Sequence, residues 1–231
     1  LNFINNDYLW LVNWVVEKNY SFVSLSLINF LLKKTNYSFV GTTGCTKNTS
    51  KILKTLGFQN GKLTHLASKN SSLNTFKISN FPKTKKVPLK QKIDYRISKI
   101  DSKKLSIFFR SIKPINYKDE EFFLKRYVNH PNYKYKFYGI YYLDVPQGFF
   151  VTRVCKFNDA SSLKLVDYHG KKINLTKVFS SFDKIVKNFS YEFLDFYVHC
   201  KNKIFKNYSN FQVKKKINAP NFFEPFLKKN V

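Results

Sequence analysis

A chain of 231 residues holds one domain or two small ones, and 43% apolar content with 25 Phe and 15 Tyr is enough to bury real cores. The formal charge of +27 would suit a nucleic acid, yet only four of the 41 basic residues are arginine: Arg96, Arg110, Arg126 and Arg153. Arginine forks are the usual means of reading guanine and gripping phosphate in pairs, so dedicated base reading is disfavoured. The lysines travel with many Asn, Phe, Ile and Tyr, the mix expected of AT-rich coding bias; a nucleic-acid or anionic-polymer partner stays as the alternative. Cys45, Cys155 and Cys200 are odd in number and widely spaced. They match neither a disulfide framework nor a zinc pattern, which points to a reducing, cytoplasmic home. The longest nearly apolar run, Phe22–Leu32, is too short to span a bilayer. The chain has no signal segment, begins with Leu and contains no Met, so it reads as a fragment whose natural start is missing.

Tyr8–Val16 reads as a strand, Phe22–Lys34 as a helix and Tyr37–Val40 as a second strand. Asn48–Leu56 is a short helix stopped by Gly57, and Phe58–Ala67 carries the Asn-Gly signal of a hairpin or tight turn. Residues 68–92 are polar and Lys-rich with Pro82 and Pro88, and read as a linker or surface excursion. In 93–112, YRISKI and LSIFF both suit strands. Asp119 caps a helix through Phe122, Phe123, Leu124, Tyr127 and Val128, ended by Pro131. Tyr133–Leu143 and Gly148–Phe157 flank Asp144-Val145-Pro146-Gln147 as an antiparallel hairpin. Lys201–Ser209 forms a further short helix and Asn221–Leu227 a last extended segment.

Leu163–His199 is the centre of the reading: strand, turn, helix, strand. Leu175, Val178, Phe179, Phe182, Ile185, Val186 and Phe189 recur at steps of three and four, with Asn174 placed to cap the helix. If the flanking strands are parallel neighbours, a ligand sits beyond their carboxyl ends, near His169 and His199. Adding 154 to the numbers 9–40 lays them on 163–194 without a gap, so the core reads as the second of two duplicated units. The expected division is 1–80 for the rear part of a first unit, 81–112 for a linker or connecting strands, and 113–231 for a complete second unit. The fold class is α/β in mixed α+β layers.

On alternating strands Asp167 and His169 share a face, as do Asp195, Tyr197 and His199. A carboxylate or imidazole there can deprotonate an attacking amine or hydroxyl; the plainer reading is that these groups decorate the solvent end of a sheet. No short ligand spacing supports a metal. Arg126, Tyr127 and His130, with Arg153, are candidates for gripping substrate, although His130 before Pro131 suits a helix end equally. Cys155 and Cys200 read as small buried residues, His65 as structural, and Lys214-Lys215-Lys216 as a solvated face.

The element order, KILKTLGFQNGKL at 51–63, RYVNHPNYKYKFYGIYY at 126–142 and NAPNFFEPF at 218–226 resemble the GNAT acyltransferase superfamily, and in particular uncharacterised tandem GNAT-like proteins of bacterial surface-polysaccharide gene clusters. The resemblance implies a splayed pair of parallel strands with acetyl-CoA or another acyl-CoA between them and its pyrophosphate on a helix N-terminus. It places Gly170, Lys171, Lys172 and Asn174 at the phosphates, and Asp167, His169, Tyr197 and His199 at the chemistry. The family's Gln/Arg-x-x-Gly-x-Gly/Ala turn is absent: Glu17–Phe22 and Gly170–Leu175 stand in its place. The family's thiolate-protonating tyrosine is replaced by Leu53 and Phe205, with Tyr208 nearby. The implied activity is an acyl-CoA-dependent N- or O-acyltransferase acting on a sugar or surface-polysaccharide precursor. A non-catalytic GNAT-like module, or a basic protein that binds nucleic acid or an anionic polymer, is the alternative.

Overall fold

The computed structural model describes residues 8–11, 17–20, 22–34, 37, 39–81, 95–113, 118–173 and 175–199. Two compact units divide the chain, Leu1–Gly61 and Lys62–Val231.

In the first unit, β1 (Tyr8–Leu11) and β2 (Phe39–Thr42) lie parallel, from Tyr8 opposite Phe39 to Leu11 opposite Thr42. A parallel pair needs a long crossover, and α1 (Val23–Lys34) supplies it. The expected β1 runs on through Val12–Val16, which lie outside the described residues, and β2 starts two residues later than expected. α2 (Lys47–Thr55) opens where Thr46 Oγ1 accepts from the Thr49 amide at 3.2 Å. It closes before Gly57, whose φ of +86° suits a residue without a β-carbon. The Asn-Gly pair makes no hairpin. Asn60 instead donates Nδ2 to the Ser50 carbonyl at 2.7 Å, tying the loop back to α2.

The second unit is built on a six-stranded sheet in the order β3-β8-β7-β6-β5-β4. These are β3 (Thr64–Lys69), β4 (Tyr95–Ile100), β5 (Tyr135–Tyr142), β6 (Val145–Phe157), β7 (Ala160–Gly170) and β8 (Phe193–Val198). Every neighbouring pair is antiparallel except β7–β8. One face is covered by α5 (Leu175–Asn188), whose Val178, Phe182, Ile185 and Val186 pack on Tyr138, Ile140, Phe150, Leu163 and Leu194. The other face is covered by α3 (Leu105–Ser111) and by α4 (Glu120–Phe123), which continues as a π-turn through Val128. There Phe108 and Phe123 meet Phe137, Phe149 and Val151. Burying a side chain such as Phe123 or Phe149 fully is worth about 1.5–3 kcal/mol each. As expected, Asp119 caps α4, accepting from the Phe122 amide at 2.8 Å.

The units do not coincide with the division 1–80, 81–112 and 113–231. β3 pairs with β8 over six positions, from Thr64 opposite Val198 to Lys69 opposite Phe193, and residues 62–80 belong to the second unit. The segment 68–81 is no surface excursion. Asn70, 1% exposed, donates Nδ2 to the Tyr191 carbonyl at 2.9 Å, and buried Glu192 accepts from the amides of Lys77 and Ile78. Within the expected linker, YRISKI is the edge strand β4, but LSIFF is helix α3 rather than a strand. The helical spacing of Leu105, Phe108 and Ile112 buries all three, and Asp101 begins the turn by accepting from the Lys103 amide at 3.0 Å. Residues 201–231, with the expected helix and final strand, lie outside the described residues. Among the described residues no helix is long and apolar enough to cross a membrane.

The β5–β6 connection is tighter than Asp144–Gln147. Leu143 (φ +47°) and Asp144 (φ +61°) alone make the turn, and Pro146 and Gln147 join β6, with a bulge opposite Ile140-Tyr141. Two consecutive left-handed residues define a type I′ turn, which favours Asn or Gly over a branched-tail residue such as Leu143. Leu143 is also 68% exposed, so it gains little from burial. Leu143→Asn is therefore expected to stabilise the protein by about 1 kcal/mol, read as a higher denaturation midpoint; a lower midpoint would contradict the turn assignment.

Candidate functional site

β7 and β8 are paired at only two positions, Leu163 opposite Leu194 and Lys164 opposite Asp195. Beyond them β7 runs on to Gly170 and β8 to Val198 with no shared ladder position, so the two strands part toward their carboxyl ends. The other edge of β7 stays on β6, but with a shift of register: Leu165 faces Thr152 and Asp167 faces Val151, leaving Val166 as an extra residue. Such a bulge turns the following side chains over by one step. Leu163 and Leu165 pack under α5, whereas Val166, Asp167 and His169 all look toward α3 and α4.

The fork is closed by charge. Lys164 Nζ donates to Asp195 Oδ2 at 2.6 Å, with both side chains almost wholly buried at 2% and 1% exposure. The same oxygen meets His65 Nε2 from β3 at 2.7 Å. Tyr197, opposite His65 in the ladder, stacks on its ring at 4.2 Å. Asp195 Oδ1 is buried and, among the described residues, has no hydrogen-bond partner. A buried acceptor of this kind needs a donor from elsewhere. Burial, then the Asp195 carboxylate, pushes the Tyr197 hydroxyl pKa up, so it keeps its proton at neutral pH.

In the sequence alone His65 reads as structural and Lys164 has no role. The missing signal was the β3–β8 pairing, a contact between residues more than a hundred positions apart.

The expected site residues divide. Asp167 is held by three groups: both carboxylate oxygens take Lys118 Nζ at 2.6 Å, Tyr127 donates its hydroxyl to Oδ2 at 2.6 Å, and the Tyr168 amide adds a bond at 2.8 Å. Burial, then Asp167, raises the Tyr127 pKa. His169 shares Asp167's face as expected but lies in the core, not in the opening. It is 1% exposed among Phe109, Phe123 and Phe149, with neither ring nitrogen in a well-formed hydrogen bond, and the Lys118 main chain and Asp167 are polar groups close enough to act on it. His199 is exposed, with Nδ1 3.1 Å from the Lys62 carbonyl. His130 caps its turn through Nδ1, which accepts from the amides of Asn132 and Tyr133, both at 3.1 Å. It is thus a turn element, not a partner of helix carbonyls. Arg153 lies over the Tyr133 ring at 4.8 Å and Arg126 is exposed beside Tyr127. Cys155 is buried, and burial raises its thiol pKa, which suits the inert role expected of it. Among the described residues no three His, Cys, Asp or Glu side chains come together to hold a metal.

Gly170 has a use other than the expected one. With φ +150° it packs against Gly148 and the Gln147 carbonyl, where a β-carbon would collide with main chain. The Lys171 amide then donates to Gln147 at 2.9 Å, fastening the turn to β6 and leaving Lys171 and Lys172 exposed ahead of α5. Asn174 lies outside the described residues.

Two outcomes follow from this geometry. Burial holds the His169 pKa down to about 4, against 6.5 in the unfolded chain, with Asp167 opposing. The unfolded state therefore binds the extra proton between those values, and stability falls by about 3 kcal/mol as pH drops from 6.5 to 4. His169→Phe is expected to stay folded at pH 7 and to lose that part of the acid slope, measured by denaturation at each pH; an unchanged slope would contradict the burial. For the fork, Lys164→Met alone leaves Asp195 buried without its ammonium partner and should cost about 3–5 kcal/mol. Lys164→Met with Asp195→Leu should recover much of that loss; equal losses in the single and double variants would show that charge is not what closes the fork.

No protein-family model and no curated protein sequence matches the chain. Among solved structures, a GCN5-related N-acetyltransferase from Anabaena variabilis is similar with a TM-score of 0.53 at 12% identity, over 89% of this chain and 50% of that one. A conserved protein of unknown function from Enterococcus faecalis, described as a probable N-acyltransferase, is similar with a TM-score of 0.50 at 9% identity, over 84% and 46%. The chain thus spans about half the length of these structures. At such identities the likeness is one of fold, and the fold is the mixed α/β layer of the GNAT acyltransferases.

Proposed function

We propose that the chain is an acyl-CoA-dependent N- or O-acyltransferase that holds the thioester in the opening between β7 and β8. The acceptor, an amino-sugar or another surface-polysaccharide precursor, would lie on the face that carries Lys164, Asp195 and His65. The observation that carries the reading is the loss of β7–β8 pairing after Lys164 opposite Asp195. Strand edges without a ladder partner offer N–H and C=O groups to an amide-containing arm, as an added strand would use them. The orphan Asp195 Oδ1 offers an acceptor at the same place. Lys171 and Lys172, exposed ahead of α5, suit the phosphates together with the helix N-terminus and Asn174.

Bound acyl-CoA supplies an activated thioester; the remaining chemistry belongs to this chain. Main-chain amides along β7 at the bulge polarise the acyl carbonyl. With Nε2–H of His65 donated to Asp195, Nδ1 carries the lone pair and takes the proton of the attacking amine or hydroxyl. The new bond to the acyl carbon replaces the carbon–sulfur bond, and Tyr197, protonated at neutral pH, returns a proton to the departing thiolate. Asp167 with Lys118 and Tyr127, and Arg126, His130 and Arg153 beyond them, line the acceptor's approach. His199 borders it at the end of β8, and His169 supports it only through packing.

A tandem origin belongs to the same proposal. Under the offset of 154, α1 ends at Lys34 where α5 ends at Asn188, and β2 starts at Phe39 where β8 starts at Phe193.

Calorimetry of acetyl-CoA on the full chain tests the reading. Binding is expected, and Lys171→Glu with Lys172→Glu should weaken it about tenfold or more, since two charges near phosphate are reversed. No heat at millimolar acetyl-CoA would sink the transferase. Salt-sensitive binding of RNA or DNA in its place would favour the alternative that the charge of +27 suggests.

A further inference from the structure

A groove of about 410 Å³ lies between β4 and the C-terminal half of α5, on the sheet face opposite His65 and Asp195. It is separated from the β7–β8 opening by the width of β6. Its apolar walls are Ile97 on β4, Ile185 on α5 and Phe189 in the turn just after α5. Tyr138, from β5, contributes to the lining; it is 2% exposed, and its hydroxyl is buried without a hydrogen-bond partner among the described residues. The rim carries exposed Lys99 from β4 and exposed Lys184 from α5. Neither has an ion pair among the described residues, whereas their neighbours do. Lys187 is bound to Asp183 at 2.8 Å, and Arg96, which also borders the groove, is engaged by Asp144 at 3.0 Å. No carboxylate is among the described lining residues.

Buried hydroxyls are almost always hydrogen-bonded, and an unpaired one is a donor waiting for an acceptor. Two cations on opposite walls ask for an anion, and the aliphatic and aromatic walls ask for an apolar tail. A single water would satisfy Tyr138 but neither the lysines nor the walls. The volume falls in the range usual for small-ligand sites, about 300–1,000 Å³. We propose that this groove binds a monocarboxylate with a short apolar tail, its carboxylate between Lys99, Lys184 and the Tyr138 hydroxyl, its tail against Ile97, Ile185 and Phe189. The site is independent of the transferase reading, because it shares no side chain with the opening between β7 and β8.

Octanoate is the probe, titrated into the full chain and followed by amide NMR shifts and calorimetry, with 1-octanol and inorganic phosphate as the tail and charge alone. Octanoate is expected to bind better than either and to shift amides within Tyr95–Lys99 and Ser181–Phe189. Lys99→Glu with Lys184→Glu should weaken it about tenfold or more, and the near-isosteric Tyr138→Phe by about fivefold, each variant first shown to be folded by circular dichroism. The proposal is overturned if octanoate fails to bind at millimolar concentration, if octanol binds equally well, or if the shifts lie elsewhere. Folded variants that bind as well as the parent would overturn it too. Calorimetry with acetyl-CoA on the same samples keeps a failure here distinct from a failure at the other site.

Discussion

The ion pair between Lys164 and Asp195 occupies the last rung of the only parallel strand pair in the second unit's sheet, among the described residues. Taking both charges out of water is costly, and only tight geometry with further hydrogen bonds repays it. His65 supplies one of those bonds, on the same carboxylate oxygen. The pair fixes where β8 stops following β7, and hence where the opening starts. The β3–β8 half of the sheet is joined to the β7–β4 half by two rungs, by the Glu192 amide donating to the Ser161 carbonyl at 2.8 Å, and by α5, which packs on both. A pair of well-packed leucines could hold the rung equally well. An ion pair also places a carboxylate and an imidazole at the mouth of the opening, which hydrophobic packing cannot do.

The rest of the sheet serves that position. One extra residue, Val166, reverses the alternation of β7, so leucines before it face α5 while Asp167 and His169 after it face α3 and α4. The same face then grades from dry to polar along β7. His169 sits within the Phe109, Phe123 and Phe149 cluster, Asp167 two residues earlier carries Lys118 and Tyr127, and Lys164 reaches Asp195. The Gly148–Gly170 contact anchors the far end of β7 to β6, so that β8 alone is free to diverge.

Local pattern carried much of the fold. Helical spacing in Val178, Phe182, Ile185 and Val186 located α5, and the Asp119 cap located α4, because both signals depend on residues a few positions apart. The parallel β7–α5–β8 arrangement was legible for the same reason. What sequence could not supply were long-range facts. THLA reads as part of a hairpin or tight turn, and the Ser-Lys after it as the start of a linker, until THLASK is seen to pair with β8; only that pairing gives His65 its carboxylate. His169 looked reactive because its alternation with Asp167 is real, but alternation assigns a face and not a depth. LSIFF satisfied strand propensity, and the tertiary burial of Leu105, Phe108 and Ile112 made it a helix.

The opening between β7 and β8 is where the fold, the orphan carboxylate oxygen and the histidine converge. Amide hydrogen exchange on the 231-residue chain, with and without saturating acetyl-CoA, would show whether a ligand occupies it. Ligand held between the strands should slow exchange at Leu165–Gly170 and at Phe196–Val198, with little change on the β4–β5 edge. Protection confined to other segments, with these two strand ends unchanged, would contradict a binding site at the fork.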